Sequence, residues 1–203
     1  MGEIRAVIFD FGGVLVRMID DRPRLALAKQ LGVRLSRIDD LVFFSESAQR
    51  ASRGEINVGM HWNAVREALG IRSEDMPKFL EQYWSADDVS WDLLDYIRTL
   101  RPQYKVGLLS NAWDDLRQTM HNRWNIDGLF DELIISAEVG LVKPDPRVFQ
   151  LAVGRLKIEP AQALFIDDMS VNVEAARQEG LEAIQFLNTQ QTITDIRKFL
   201  ADG

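Results

Sequence analysis

The sequence contains no cysteine and only two histidines, His61 and His121. Without cysteine there can be no disulfide, no thiolate-held zinc, no iron–sulfur cluster and no thiol nucleophile. Two histidines exclude a multi-histidine metal site and leave little room for a Ser–His relay. Long hydrophobic runs are also missing. No stretch approaches the ~18 apolar residues that span a bilayer, and the apolar opening VIFDFGGVLV is cut by Asp10, unlike a signal peptide. Gly2 is followed by Ala6 where a myristoylation pattern needs Ser or Thr. A cytoplasmic protein with no membrane partner is the expectation. Positive charge is in deficit: 24 Lys and Arg face 31 Asp and Glu, for a net charge of -7. Such a chain is a poor general binder of nucleic acid or anionic lipid, and the short run RPRL does not make a basic surface. What is present is ordinary globular composition, 46% hydrophobic and 27% charged over 203 residues. That length suits one domain, or one domain with an insertion, able to bury a core unaided.

Five short apolar runs have the character of buried parallel strands: Ala6–Phe9, Val106–Leu109, Leu133–Ile135, Leu164–Ile166 and Ala183–Phe186. Each is rich in Val, Ile, Leu or Phe and bounded by polar residues or glycine. Helical spacing follows the later runs. Asp145 to Leu156 places Val148, Leu151, Ala152 and Leu156 on one face, and Val171–Gln178 ends before Gly180, a C-cap residue. Thr189 to Gly203 reads as a terminal helix with Ile193, Ile196 and Leu200 on one side. This alternation predicts an α/β fold, a Rossmann-like doubly wound parallel sheet. Residues 17–88 break the rhythm. They carry amphipathic segments at Arg22–Leu31, Ile38–Ala48 and Val58–Leu69, and no convincing strand. The expected organisation is therefore a core domain of residues 1–16 and 89–203, with an inserted all-helical cap of residues 17–88. The cap would lie over the carboxyl ends of the strands, where open α/β sheets bind ligands.

Polar groups stand directly after the apolar runs: Asp10 after the first, Ser110 and Asn111 after the second, Asp167 and Asp168 after the fourth. Lys143 lies in the loop GLVKPDP after the third. In a parallel sheet these ends share one edge. Taken singly, each has an ordinary explanation as a turn former, a helix cap or a solvated loop residue. Together they assemble carboxylates that repel one another unless a cation sits among them. An all-oxygen set of this kind suits Mg²⁺ with a phosphate ligand. The set reads as a metal-assisted phosphoryl-transfer site with a carboxylate nucleophile.

The same residues carry a family resemblance. VIFDFGGVLV, LLSNAW, LVKPDPRVF and LFIDDMSVNVEAA resemble, in order, the four motifs of the haloacid dehalogenase superfamily, and the match runs through most of the chain. The insertion is similar to the helical cap of its subfamily I. SRGEI (Ser52 to Ile56) resembles a cap segment of the branch holding sugar-1-phosphate phosphatases and the phosphatase domain of soluble epoxide hydrolases. The resemblance implies that Asp10 attacks phosphorus to form an aspartyl-phosphate. It implies Mg²⁺ held by Asp10, the Gly12 carbonyl and Asp168, with Asp167 holding Lys143 or a water on the metal. Lys143 would neutralise the nucleophile and the phosphoryl oxygens. Ser110, the Asn111 amide and Gly13 would bind the phosphoryl group, and Asn172 falls where many relatives carry Asp. The implied activity is hydrolysis of a small phosphomonoester, with sugar phosphates as the leading class. No oligomeric state is implied.

One position departs from the pattern. Most phosphatases of the superfamily place Asp two residues after the nucleophile, to protonate the leaving oxygen; here that residue is Gly12. Three readings follow: a phosphatase working without this acid, a weakly catalytic binder of phosphorylated ligands, or a 2-haloacid dehalogenase. The paired Asp167 and Asp168 weigh against the last, because dehalogenases of the superfamily work without a metal. A phosphatase lacking the acid should favour leaving groups that depart as stable anions: anomeric, aryl or acyl phosphates. Candidate cap contacts to substrate are Phe43, Phe44, Arg50, Arg53, His61 and Trp62, although by type and spacing Phe43, Phe44 and Trp62 read more readily as cap core, Arg50 and Arg53 as solvated surface, and His61 as structural or exposed. Trp113, directly after the second motif, is a candidate for the pocket wall.

Overall fold

In the computed structural model, which describes residues 3–101 and 103–201, the chain starts with β1 (Ala6–Phe9) and β2 (Val16–Met18). Five helices follow: α1 (Arg22–Leu31), α2 (Leu35–Asp39), α3 (Glu46–Ser52), α4 (Val58–Leu69) and α5 (Met76–Trp84). The chain returns through β3 (Asp87–Val89) and α6 (Trp91–Leu100) to β4 (Lys105–Ser110). Then come α7 (Leu116–Thr119), β5 (Glu132–Ile135), α8 (Ser136–Val139), α9 (Pro146–Leu156), β6 (Ala163–Asp167), α10 (Ser170–Gln178), β7 (Glu182–Gln185) and α11 (Thr189–Ala201). All five apolar runs become strands of one parallel sheet in the order β5-β4-β1-β6-β7. The α/β fold is thus doubly wound and Rossmann-like. Its order reverses about β1, so the connections after β1 and β6 turn away from each other and open a crevice at their carboxyl ends.

The two faces of the sheet follow from the two-residue period of a strand. Val7 and Phe9 of β1 join Leu93, Leu94 and Ile97 of α6 and Ile196 of α11 in one cluster. Ala6 and Ile8 face the other way, with Val148, Phe149 and Ala152 of α9 and Val173 of α10. Covering both faces explains why these strands are continuously apolar rather than alternating. Asp145 caps α9, its carboxylate accepting the Arg147 N–H at 2.9 Å, and Pro146 occupies the first turn.

The stretch between residues 17 and 88 is helical as expected, with two corrections. Its ends are strands: β2 and β3 pair antiparallel, Val16 opposite Val89 and Met18 opposite Asp87. The amphipathic run from Ile38 to Ala48 is not one helix. It widens into a π-helical turn at Asp40–Phe44 and restarts at Ser45, whose hydroxyl accepts the Ala48 N–H. A third cluster unites these helices around Leu27, Ile38, Val42, Trp62, Val65, Phe79 and Tyr83. Trp113, from the loop after β4, packs against it. At its heart the Arg24 guanidinium, 6% exposed, donates to both oxygens of Asp87 at 2.8 Å and to the Tyr83 carbonyl at 3.1 Å. The guanidinium lies 4.1 Å from the Tyr83 ring centroid. This pair ties α1 to the exit strand β3.

Candidate active site

Asp10, Ser110, Asp167 and Asp168 all lie where β1, β4 and β6 end, at the crevice. Asp10 is 8% exposed. Its Oδ1 accepts the Phe11 N–H at 2.7 Å and faces the Lys143 ammonium at 2.8 Å. Among the described residues no hydrogen bond reaches Oδ2, which leaves that oxygen available. Lys143 is brought in by the loop after α8, which contains a cis Lys143–Pro144 bond. The same loop is locked to β4 by a reciprocal amide pair: Asn111 Nδ2 donates to the Lys143 carbonyl at 2.9 Å, and the Lys143 N–H donates to Asn111 Oδ1 at 2.8 Å. The Lys143 side chain is only 1% exposed, far from a solvated loop lysine.

Asp167 organises the cluster. It is fully buried and both of its oxygens are already used. Lys143 donates to it at 2.6 Å, the Met169 N–H at 2.8 Å, and the Asn172 amide at 3.0 and 3.1 Å. Asp168 is only partly buried. Its carboxylate lies against Gly13, where an added Cβ would stand 2.4 Å from Asp168 Oδ2, and where φ is +83°. Both space and backbone angle therefore require glycine at that position. Burial pushes the Asp10 carboxyl up to about 7; Lys143 pulls against this and Asp167 adds to it. Asp168 is raised too, by burial and then by the Asp167 charge. One carboxylate oxygen from each of Asp10, Asp167 and Asp168 lies within 4.8 Å of the others. A single ammonium set among acids so close together leaves uncompensated negative charge that a cation would relieve. The all-oxygen donor set, with the exposed Gly12 loop alongside, has the hard character Mg²⁺ prefers, so the residues present fit that ion.

Beside this cluster a cleft of about 330 Å³ has Gly12, Ser110 and Asn111 at its floor. Its walls are aromatic. Phe11, Trp113 and Trp124 rise from the sheet side, and Phe43, Trp62 and Trp84 descend from the helical insertion. The Phe43 and Trp113 rings are nearly parallel, at 14° and 6.4 Å between centroids. Of the sequence candidates, Phe43, Trp62 and Trp113 line the cleft. Phe44 points away at 69% exposure. Arg50 and Arg53 pair with Glu55 at 3.4 and 2.6 Å and do not line it. His61 is fully buried behind Trp113, its ring 4.7 Å from that indole and its Nδ1 2.9 Å from the Ser47 hydroxyl. Trp84, Trp124, Asp115 and Arg123 were not legible as lining residues, because helical spacing gives no sign of which face meets another layer. A larger depression of about 660 Å³ sits elsewhere, lined by Arg5, Arg101 and Lys105. Arg101 is already spent on Asp131 at 3.0 Å and Lys105 on the Leu156 carbonyl at 2.6 Å.

The insertion meets the sheet layer through SRGEI. Gly54 has φ +71°, and a Cβ there would lie 2.2 Å from the Ala137 carbonyl of α8. Only glycine lets this turn lie so close. The Val58 N–H at the start of α4 donates to Asp114 Oδ1 at 2.9 Å.

The chain belongs to the haloacid dehalogenase-like hydrolase family, whose model matches residues 4–180. Among characterised proteins it is 28% identical over 193 residues to a D-ribitol-5-phosphate phosphatase of Bacteroides thetaiotaomicron, covering 90% of this chain and 91% of that one. It is 24% identical to a sesquiterpene phosphatase of Aspergillus oryzae, covering 97% and 96% of the two chains. Among solved structures it superposes with a TM-score of 0.76 on a Bacteroides thetaiotaomicron enzyme of the family in complex with magnesium and inorganic phosphate. That match is at 23% identity and covers 90% and 93% of the two chains. No helix among the described residues is long and apolar enough to cross a membrane.

Proposed function

We propose that this hydrolase is a Mg²⁺-dependent phosphomonoesterase acting through an aspartyl-phosphate on Asp10. The observation that carries the reading is the ion pair of Asp10 with a buried Lys143, next to Asp167 and Asp168 and beside a ligand-sized cleft floored by Gly12, Ser110 and Asn111. Asp10, the Gly12 carbonyl and Asp168 would hold Mg²⁺, which supplies charge neutralisation for the phosphoryl oxygens and the nucleophile. Asp10 Oδ2 attacks phosphorus, the bond to the leaving oxygen breaks, and its electron pair stays on that oxygen. Lys143 offsets the negative charge of the attacking carboxylate and of the phosphoryl group. The Ser110 hydroxyl, the Asn111 amide and the Gly13 backbone orient the group. Asp167, anchored by Asn172 and the Met169 N–H, keeps Lys143 in place. Water then displaces Asp10 from phosphorus and inorganic phosphate departs. Residues 17–88 act as a cap that closes the cleft against bulk water.

Gly12 offers no side chain to protonate the leaving oxygen, so esters whose leaving groups are stable anions are preferred. The same glycine supports a second reading, a binder of phosphorylated ligands with weak turnover. The deciding assay is hydrolysis of p-nitrophenyl phosphate with and without Mg²⁺, with Asp10→Asn as control. A Mg²⁺-dependent rate that Asp10→Asn abolishes is expected. A rate indifferent to both would defeat the phosphatase reading.

A further inference from the structure

We propose that the cleft selects aryl phosphates, esters in which phosphate is carried by a flat aromatic ring. This rests on the phosphatase reading above and narrows it. Two independent features meet in it. The first is the wall chemistry. Six aromatic side chains surround the space above Ser110 and Asn111, and they offer mainly ring faces and edges, with no acceptor and at most one N–H donor from each tryptophan. Trp84 and Trp113 cross at 70°, Trp62 and Trp113 at 81°, so a ring entering the cleft meets both faces and edges, the two arrangements aromatic pairs prefer. The polar groups near the walls are mostly committed. Asp87 is held by Arg24, and Arg123 donates to the carbonyls of Trp84 and Asp87. Ser52, Asp115, Thr119 and indole N–H donors remain, a sparse polar set among six aromatic walls for the ring of hydroxyls on a sugar, whose burial without hydrogen bonds is unfavourable.

The second feature is Gly12. When the Asp10 Oδ2–phosphorus bond forms and the phosphorus–oxygen bond breaks, the electron pair leaves on the ester oxygen with no side-chain proton to meet it. A phenol ionises near ~10, so an aryl oxide departs readily. An alkyl alcohol is closer to water, at ~15.7. Anomeric and acyl phosphates would also leave well, and the aromatic walls distinguish the aryl ester from them.

The test uses the full chain with Mg²⁺ on 2-naphthyl phosphate, glucose 1-phosphate and acetyl phosphate. Acetyl phosphate has a good leaving group too small to fill the cleft. The expected result is a kcat/KM for 2-naphthyl phosphate at least about tenfold above that for glucose 1-phosphate, the scale of one aromatic contact. The ratio of 2-naphthyl to acetyl phosphate should fall by about tenfold in Trp113→Ala and in Phe43→Leu, on the same contact scale, and recover in Trp113→Phe. Phe43 is 41% exposed, so Phe43→Leu keeps the test open should Trp113→Ala fail to fold. A sugar phosphate turned over as well as the aryl ester, or a ratio that neither variant moves, would overturn the proposal. If none of the three compounds is hydrolysed, acetyl phosphate included, the phosphatase reading falls by itself. Tryptophan fluorescence then decides for the cleft. Saturable quenching by 2-naphthyl phosphate that weakens in Phe43→Leu upholds an aryl site, and no quenching overturns it.

Discussion

Replacing Gly12 by aspartate would put a proton donor beside Asp10 without disturbing the loop. A Cβ at Gly12 meets no atom within 4 Å, and Gly12 is not among the residues with positive φ. With Mg²⁺ saturating to offset the added charge, the substitution should therefore keep Tm close to wild type, within about 0.5 kcal/mol. Its effect on chemistry should be large and selective. General acid catalysis contributes roughly 10²–10⁴-fold, which at about 1.36 kcal/mol per decade is about 2.7–5.4 kcal/mol of barrier. That gain goes to leaving groups that need the proton. For glycerol 3-phosphate, kcat/KM should rise about 100-fold; for p-nitrophenyl phosphate, whose leaving group departs unaided, it should rise less than about threefold. The added carboxylate also joins Asp10, Asp167 and Asp168, so half-saturation with Mg²⁺ should need less of the ion. The assay is a plot of log kcat/KM against leaving-group pKa for both proteins, each at saturating Mg²⁺. A flatter line for Gly12→Asp is expected. Equal gains on both substrates, or none on the alkyl ester while Tm holds, would refute the reasoning about the missing proton.

Other perturbations test the rest of the architecture. Asp10 titrates near 7 in the folded chain and near 3.9 unfolded, so the folded state holds the extra proton between these values and loses stability as pH rises through them. Without Mg²⁺, Asp10→Asn should gain Tm relative to wild type from pH 4 to pH 8, and adding Mg²⁺ should shrink that gain; a gap constant with pH would contradict it. Arg24→Met should cost about 3–5 kcal/mol by stranding the buried Asp87, while Arg24→Met with Asp87→Leu should recover much of it, as read by urea unfolding. Burial lowers the His61 pKa, so the unfolded chain takes up the proton first and stability falls as pH drops below about 6.5. His61→Phe should flatten that acid limb of the Tm profile, and an unchanged limb would remove His61 as its source.

The parallel sheet was legible because each strand is buried on both faces and so announces itself as an unbroken apolar run. The short strands β2 and β3 gave no such sign. Arg17 and Met18 are exposed, and Asp87 and Asp88 are poor strand formers; their pairing is held by tertiary contacts, the Arg24–Asp87 ion pair among them. The break at Ser45 was hidden because the apolar spacing continues across the π-turn, although Ser45 followed by Glu46 is itself a helix-start signal. Asp10, Lys143 and Asp167 were legible as chemistry from type and placement. Their convergence depends on sheet order, which no local pattern encodes. Arg24 was lost within the basic run RPRL, where nothing in the sequence sets a buried guanidinium apart from a solvated one.

Trp113 belongs by sequence to the loop after β4 yet packs into the hydrophobic cluster of the inserted helices. That cluster is incomplete without a side chain from across the cleft. Swinging the insertion fully away would pull this indole out of its packing and wet Trp62 and His61 together. Breathing of the cleft is therefore expected to be shallow, with ligands entering past its rim. The dependence also bears on how such proteins diversify. The helical segment of this chain, transplanted into another member of the family, would arrive missing part of its own interior unless the post-β4 loop with Trp113 travelled with it. On the proposed reading, specificity in this chain would be set by a discontinuous pair of segments.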